Sequence, residues 1–188
     1  MKIAIVGGIG SGKSEVLKVA RDMGLACLSA DEINSDLLKT PEYIAEIAKA
    51  FPTAVCGGRI DRATLSKIVF SDDSARGKLN EIAHPRILAR IRDEKASPLI
   101  VEMPLLLECG AQSLFDEIVF VYTPMKLRIE RLEKRGLSKE NAKLRMAAQV
   151  SEQELRAVAT CTVDNSGDIA SLRKSAGTAL RELLHRAE

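Results

Sequence analysis

Five short apolar runs punctuate this chain: Lys2-Ile3-Ala4-Ile5-Val6, Leu25-Ala26-Cys27-Leu28, Pro98-Leu99-Ile100-Val101-Glu102, Ile118-Val119-Phe120-Val121-Tyr122 and Thr162-Val163-Asp164. They are nearly continuous rather than alternating, as expected of strands buried on both faces of a parallel sheet. Between them the apolar residues fall at helical spacing. Val16, Leu17, Val19, Ala20 and Met23 predict a first helix, which Gly24 ends. A helical region runs from Ser29 to about Phe51, and Pro41 divides it in two. Cys56 to Arg59 reads as a turn. Asp61 caps a predicted helix over 63–70, Asp72 or Asp73 caps another over 75–82, and Pro85 opens a third carrying Ile87, Leu88 and Ile91. That makes a long all-helical insertion between two strands. Later, Pro124 starts a helix through Arg135, which Gly136 ends, and Ser138–Gln149 and Ser151–Ala159 follow as two charged helices. A last helix from about Asp168 carries Ile169, Leu172, Ala176, Leu180 and Leu183 on one face. Strands alternating with helices predict an α/β domain with a parallel sheet covered on both faces.

The chemistry begins where the first strand meets the first helix. Gly7-Gly8-Ile9-Gly10-Ser11-Gly12-Lys13-Ser14 fits G-x-x-x-x-G-K-[ST], the P-loop pattern, in the strand–loop–helix context the motif requires. Glycines here let the backbone turn tightly and bring N–H groups to phosphate oxygens, and the helix end adds unpaired donors and a positive dipole. Gly8, Ile9, Gly10, Ser11, Gly12, Lys13, Ser14 and Glu15 are the expected ATP-binding residues. Lys13 reaches the β- and γ-phosphates and the Ser14 hydroxyl is the expected Mg²⁺ ligand.

Ligands of open parallel sheets bind outside the carboxyl ends of the strands. Asp31, Glu102 and Asn165 fall at such ends. Asp31 suits a proton acceptor, a metal ligand or a helix cap. Glu102 reads either as an indirect Mg²⁺ ligand or as a structural acid. Arg128, Arg131, Arg135 and Arg145 suit the charge that phosphoryl transfer develops, yet Glu130 and Glu133 among them also suit surface ion pairs. The Pro104–Glu108 segment is too apolar for an ordinary surface loop, and no separate Walker-B carboxylate stands out.

Composition narrows the partners. With 188 residues, 46% of them apolar, the chain suits one substantial domain. A formal net charge of +2 without a basic run argues against a nucleic-acid partner. Four scattered cysteines, no signal-peptide core and no run long enough to span a bilayer lead us to expect a reduced, cytoplasmic protein with no membrane partner.

Over nearly its whole length the chain resembles the dephospho-CoA kinases. The resemblance is carried by Gly7–Ser14, Ser29-Ala30-Asp31, Ile60-Asp61-Arg62-x-x-Leu65 with Val69-Phe70, Leu79-Asn80-x-Ile82-x-His84-Pro85-x-Ile87, Pro104-Leu105-Leu106-x-Glu108, Arg131-x-x-x-Arg135, Arg145-x-x-x-Gln149 and Val163-Asp164-Asn165-Ser166-Gly167. It implies a three-layer P-loop fold like that of nucleoside-monophosphate kinases, with a five-stranded parallel sheet in a single domain, 1–188. A helical acceptor-binding insertion over about 32–96 and a lid over about 125–160 belong to it. The implied reaction moves the γ-phosphoryl of ATP, with Mg²⁺, to the ribose 3′-hydroxyl of 3′-dephospho-CoA, the last step of CoA synthesis. Lys13, Asp31, Arg135 and Arg145 are the implied catalytic residues, with Asp31 as base. Asn165 lies near the adenine of ATP, and Asp31, Arg62, His84, Pro85 and Leu105 serve the acceptor. The protein is expected to be a monomer. The chain departs from the family's common residues at Glu15 (Thr), Ser29 (Asp), Ser35 (a basic residue) and Thr160 (Asp), and Gly136 stands where an Asp often follows the arginine. Two other readings remain: a related small kinase with another hydroxyl acceptor, and a regulatory nucleotide-binding protein that has lost transfer.

Overall fold

The computed structural model describes residues 1–186. The chain forms two compact units, one of residues 1–29 with 95–188 and one of residues 30–94.

In the first unit, β1 (Lys2–Val6), α1 (Lys13–Asp22) and β2 (Ala26–Ser29) come before residue 30. The second unit contains α2 (Ala30–Leu37), α3 (Pro41–Ala50), β3 (Val55–Cys56), β4 (Arg59–Ile60), α4 (Arg62–Ser71) and α5 (Asp73–Asp93). The first then resumes with β5 (Leu99–Glu102), β6 (Glu117–Tyr122), α6 (Met125–Glu133), α7 (Lys139–Ala147), α8 (Glu152–Val158), β7 (Cys161–Asp164) and α9 (Ile169–His185).

The sheet of the first unit has five strands in the order β2-β5-β1-β6-β7, every neighbouring pair parallel. From β1 the chain passes over β5 to reach β2, then returns across β1 from β5 to β6. Strand order reverses around β1, and the open crevice at its carboxyl end is where ligands of such sheets bind. Gly7–Ser14 leaves β1 there.

On one face, α1 and α9 pack against the sheet. Val16, Leu17 and Ala20 of α1 and Leu172, Ala176, Leu180 and Leu183 of α9 are buried against Ile3, Ile5, Ile100, Val119, Val121 and Val163. Because side chains alternate along a strand, Phe120 and Tyr122 point to the other face. There the Arg156 guanidinium of α8 lies 5.3 Å from the Phe120 ring centre and 4.7 Å from that of Tyr122. The helices expected to start at Ser138, Ser151 and about Asp168 start there, each on a side-chain cap. Ser138 accepts the Asn141 N–H, Ser151 and Glu154 form a reciprocal capping box, and Asp168 accepts the Ser171 N–H.

In the second unit Pro41 stands at the first turn of α3, and Asp61 and Asp72 cap α4 and α5. Two expectations need correction. Pro85 does not open a helix, because α5 runs through it. A proline lacks the N–H of the normal ladder. The helix continues because Ala83, Ile87 and Ile91 keep one buried register, while the Arg86 guanidinium donates to the Ile82 carbonyl at 2.9 Å. Arg86 also pairs with Glu46 and lies 5.7 Å from the Tyr43 ring centre, joining α5 to α3. The segment read only as a turn is the tip of a hairpin, β3 with β4. Gly57 and Gly58 both have positive φ, 55° and 71°, as a two-residue primed turn requires.

Candidate active site

Gly12 ends the loop with φ 97° and serves as N-cap of α1, its carbonyl accepting the Glu15 and Val16 N–H groups. A side chain at Gly12 would strike the Asn165 amide, and one at Gly8 would strike the Arg128 guanidinium. Backbone shape requires glycine at Gly12, whereas at Gly8 the demand comes from the Arg128 side chain alone.

Lys13 is 8% exposed, unusually buried for a lysine. Its Nζ donates to the Gly7 carbonyl at 2.8 Å and the Gly8 carbonyl at 3.2 Å. Ser14 Oγ donates to Glu102 Oε1 at 2.9 Å, and Glu102, the last residue of β5, is 7% exposed. A hydroxyl beside a buried carboxylate is a hard-oxygen pair suited to Mg²⁺, which takes one or two carboxylates and draws its other ligands from phosphate and water. Among the described residues no cluster of three or more acidic, His or Cys side chains competes for that role. Sequence reading placed Glu102 at a strand end but did not join it to Ser14, since the two are 88 residues apart.

Ile9 is held from outside the loop. Arg128 Nε donates to its carbonyl at 2.9 Å, and its N–H donates to Gln149 Oε1 at 2.7 Å. Burial pushes the Arg128 pKa down, with Glu152 partly opposing. A cavity of about 680 Å³ opens beside this point, lined by Gly8, Ser11, Thr123, Arg128, Gln149 and Leu155 among others. That volume is in the range of small-molecule sites. Arg131 turns toward the end of β7, where Nη2 donates to Asn165 Oδ1 at 3.2 Å. Arg135, past the end of α6, and Arg145, on α7, are both exposed. Arg128 and Arg131 are joined to the loop region, and spacing alone did not single them out.

Glu15 is half-buried, and its carboxylate accepts from Arg173 Nε of α9 at 2.7 Å, while Arg173 Nη2 reaches Asp22 at 3.1 Å. Hydrogen bonding to Glu15 raises the Arg173 pKa. A carboxylate in the first turn of α1 suits the helix dipole but opposes an arriving polyphosphate. Arg173 offsets that charge. Replacing Arg173 with Ala is expected to raise the KM for ATP up to about fivefold, the scale of an exposed pair, with little change for the acceptor. Glu15→Gln on the same background is expected to restore it. Steady-state kinetics at two salt concentrations check this, and an unchanged KM in the single variant would show the pair to be structural only.

In the second unit, Asp31 is the second residue of α2 and exposed, so it is not the helix N-cap. It follows the last residue of β2 by two positions. Arg62 Nη2 donates to Ser35 Oγ at 2.9 Å and to the Ser35 carbonyl at 3.3 Å. His84 is half-buried on α5 and Pro85 is exposed beside it. In the first unit, Leu105 is half-buried in the turns that follow β5, next to fully buried Leu106.

A parallel sheet carrying a P-loop at its reversal point, with a carboxylate on the loop's serine, defines a P-loop nucleotide-binding domain. The family model for dephospho-CoA kinase matches residues 1–171. A dephospho-CoA kinase of Deinococcus radiodurans is 38% identical, over 97% of this chain and 92% of its own length. A crystal structure from Thermus thermophilus superposes with a TM-score of 0.82 at 34% identity, over 97% of both chains. The structure of dephospho-CoA kinase from Campylobacter jejuni gives 0.71 at 29% identity, over all of both chains. The chain belongs to the dephospho-CoA kinase family.

Proposed function

We propose that this protein transfers the γ-phosphoryl of ATP to the ribose 3′-hydroxyl of 3′-dephospho-CoA, giving coenzyme A and ADP. What carries the reading is an intact loop, with Ser14 on Glu102, in a chain of this family. Within the loop Gly8–Glu15, the N–H groups of Gly12, Lys13 and Ser14 hold the phosphates, and the Lys13 ammonium turns from the Gly7 and Gly8 carbonyls to the β- and γ-oxygens. Ser14 and Glu102 would hold Mg²⁺, which when bound neutralises phosphate charge. Asp31 accepts the proton of the attacking 3′-hydroxyl as the new P–O bond forms and the bond to the β–γ bridging oxygen breaks. Arg135 and Arg145 stabilise charge on the transferring oxygens. Asn165 contributes to the ATP side.

Arg62, His84, Pro85 and Leu105 serve the acceptor in this account. Arg62→Ala and His84→Ala are each expected to raise the KM for dephospho-CoA several-fold more than that for ATP, since a contact to one substrate affects mainly that substrate. Initial rates with each substrate varied check this, and equal effects on both would remove these residues from the acceptor site. The activity itself is tested by ATP consumption with a panel of hydroxyl acceptors. Consumption dependent on dephospho-CoA is expected. Consumption with a different acceptor, or with none, would favour the other two readings. Among the described residues no helix is long and apolar enough to cross a membrane, and the four cysteines are free thiols; we place the reaction in the cytoplasm.

A further inference from the structure

The Ser11 carbonyl of the P-loop is held by two side chains from outside the loop, and a third holds those two. Asn165 follows β7 and is 4% exposed, and Thr123 follows β6 and is 2% exposed. Asn165 Nδ2 donates to the Ser11 carbonyl at 2.7 Å, and Thr123 Oγ1 lies 2.8 Å from the same oxygen. The Asn165 N–H donates to the Tyr122 carbonyl at 2.8 Å, fixing its backbone to the end of β6. Arg131 supplies the third side chain. Its Nη2 donates to Asn165 Oδ1 at 3.2 Å and to the Asn165 carbonyl at 3.1 Å, and Nη1 lies 3.5 Å from Thr123 Oγ1.

This pattern admits one orientation of the Asn165 amide. Reversed, it would set Oδ1 against the Ser11 carbonyl and its NH₂ against the guanidinium, acceptor on acceptor and donor on donor. Arg131 therefore dictates that Nδ2 faces Ser11. The Ser11–Gly12 peptide is trans. In a planar trans peptide the C=O and the following N–H point in opposite directions. Drawing the Ser11 carbonyl back toward β6 and β7 aims the Gly12 N–H away from the sheet, into the concave side of the loop. Gly12 then turns with φ 97°, and the N–H groups of Lys13 and Ser14 continue into the first turn of α1. Successive N–H groups converging in this way make an anion-binding nest.

We propose that Asn165, oriented by Arg131, is a positioning residue for the phosphate cradle. It acts on the nucleotide through the Ser11–Gly12 peptide and not by reading the base. The proposal rests on the nucleotide-phosphate reading of Gly7–Ser14. It gives Asn165 a different task from adenine contact, and it brings in Arg131, which the phosphoryl-transfer account leaves unused.

The two tasks separate on a ligand without a base. Inorganic tripolyphosphate, MgATP and MgGTP are titrated calorimetrically into the wild type and into Asn165→Asp, with melting temperatures recorded. The Asp variant keeps the shape and keeps an acceptor for Arg131, but presents an oxygen to the Ser11 carbonyl. Affinity for all three ligands is expected to fall by one common factor, roughly tenfold to a hundredfold, the scale of a lost hydrogen bond at a charged site. The ATP-to-GTP preference should stay at its wild-type value. In kinetics the KM for ATP should rise with kcat nearly kept, since the cradle holds ground and transition states alike. Arg131→Lys retains the charge without the fork, and its loss should be intermediate and equally blind to the base. Should Asn165→Asp fail to fold, this variant and Asn165→Ser carry the same comparison. Unchanged tripolyphosphate affinity with a collapsed ATP-to-GTP preference would overturn the proposal in favour of base recognition. Unchanged affinity for all ligands would overturn it outright. A wild-type protein that bound neither tripolyphosphate nor MgATP would instead overturn the phosphate reading beneath it, and the proposal with it.

Discussion

Asp31→Asn is expected to fold, to bind MgATP nearly as well as the wild type, and to lose turnover by roughly 10²–10⁴-fold, the contribution of a positioned general base. Asp31 is exposed in the first turn of α2 and does not cap it. A structural loss is thus limited to the favourable interaction of a carboxylate with the helix end, about 0.3–1 kcal/mol. Melting temperature, MgATP affinity and kcat measured on one preparation separate the outcomes. Loss of MgATP affinity along with kcat, partly restored by added Mg²⁺, would make Asp31 a metal residue. A stable variant with wild-type kcat would leave the reaction without its assigned base.

Lys13→Ala is expected to lower both nucleotide affinity and turnover. The ammonium faces phosphate charge at rest and more strongly in the transition state, so both KM and kcat carry the loss. Its present bonds to the Gly7 and Gly8 carbonyls add a structural element. Their removal frees two carbonyls of the loop, at about 1–3 kcal/mol for each that water does not reach. Binding and single-turnover measurements check the variant against its melting temperature. Turnover close to wild type would contradict the use of this loop for ATP.

What could be read in the chain was local. The run Lys2–Val6, the eight residues Gly7–Ser14 and the helical spacing after them are contiguous, so strand, loop and helix follow from neighbouring residues. The Asp61 cap and the helix starts at Ser151 and Asp168 are local for the same reason. The signals that misled were local too. Pro85 carries a helix-start signature, but tertiary burial of Ala83, Ile87 and Ile91 keeps α5 continuous through it. Strands β3 and β4 have two residues each, too few for any period to register. The site's wiring is long-range: Ser14 to Glu102, Ile9 to Arg128 and Gln149, Glu15 to Arg173, Ser11 to Asn165. Each pair depends on which strands lie side by side, and a single sequence holds strand order only implicitly. Geometry joins Arg128 and Arg131 to the loop region, which the spacing of the arginines could not show.

The most direct test of the account is the fate of the γ-phosphoryl group. Wild-type protein is incubated with MgATP labelled at the γ-phosphorus and with 3′-dephospho-CoA, and the products are resolved by chromatography and phosphorus NMR. The account predicts label in a new phosphomonoester on the ribose 3′-carbon of the acceptor, one per ADP formed, and none without the acceptor. Label recovered as inorganic phosphate, or on another position of the acceptor, would contradict it.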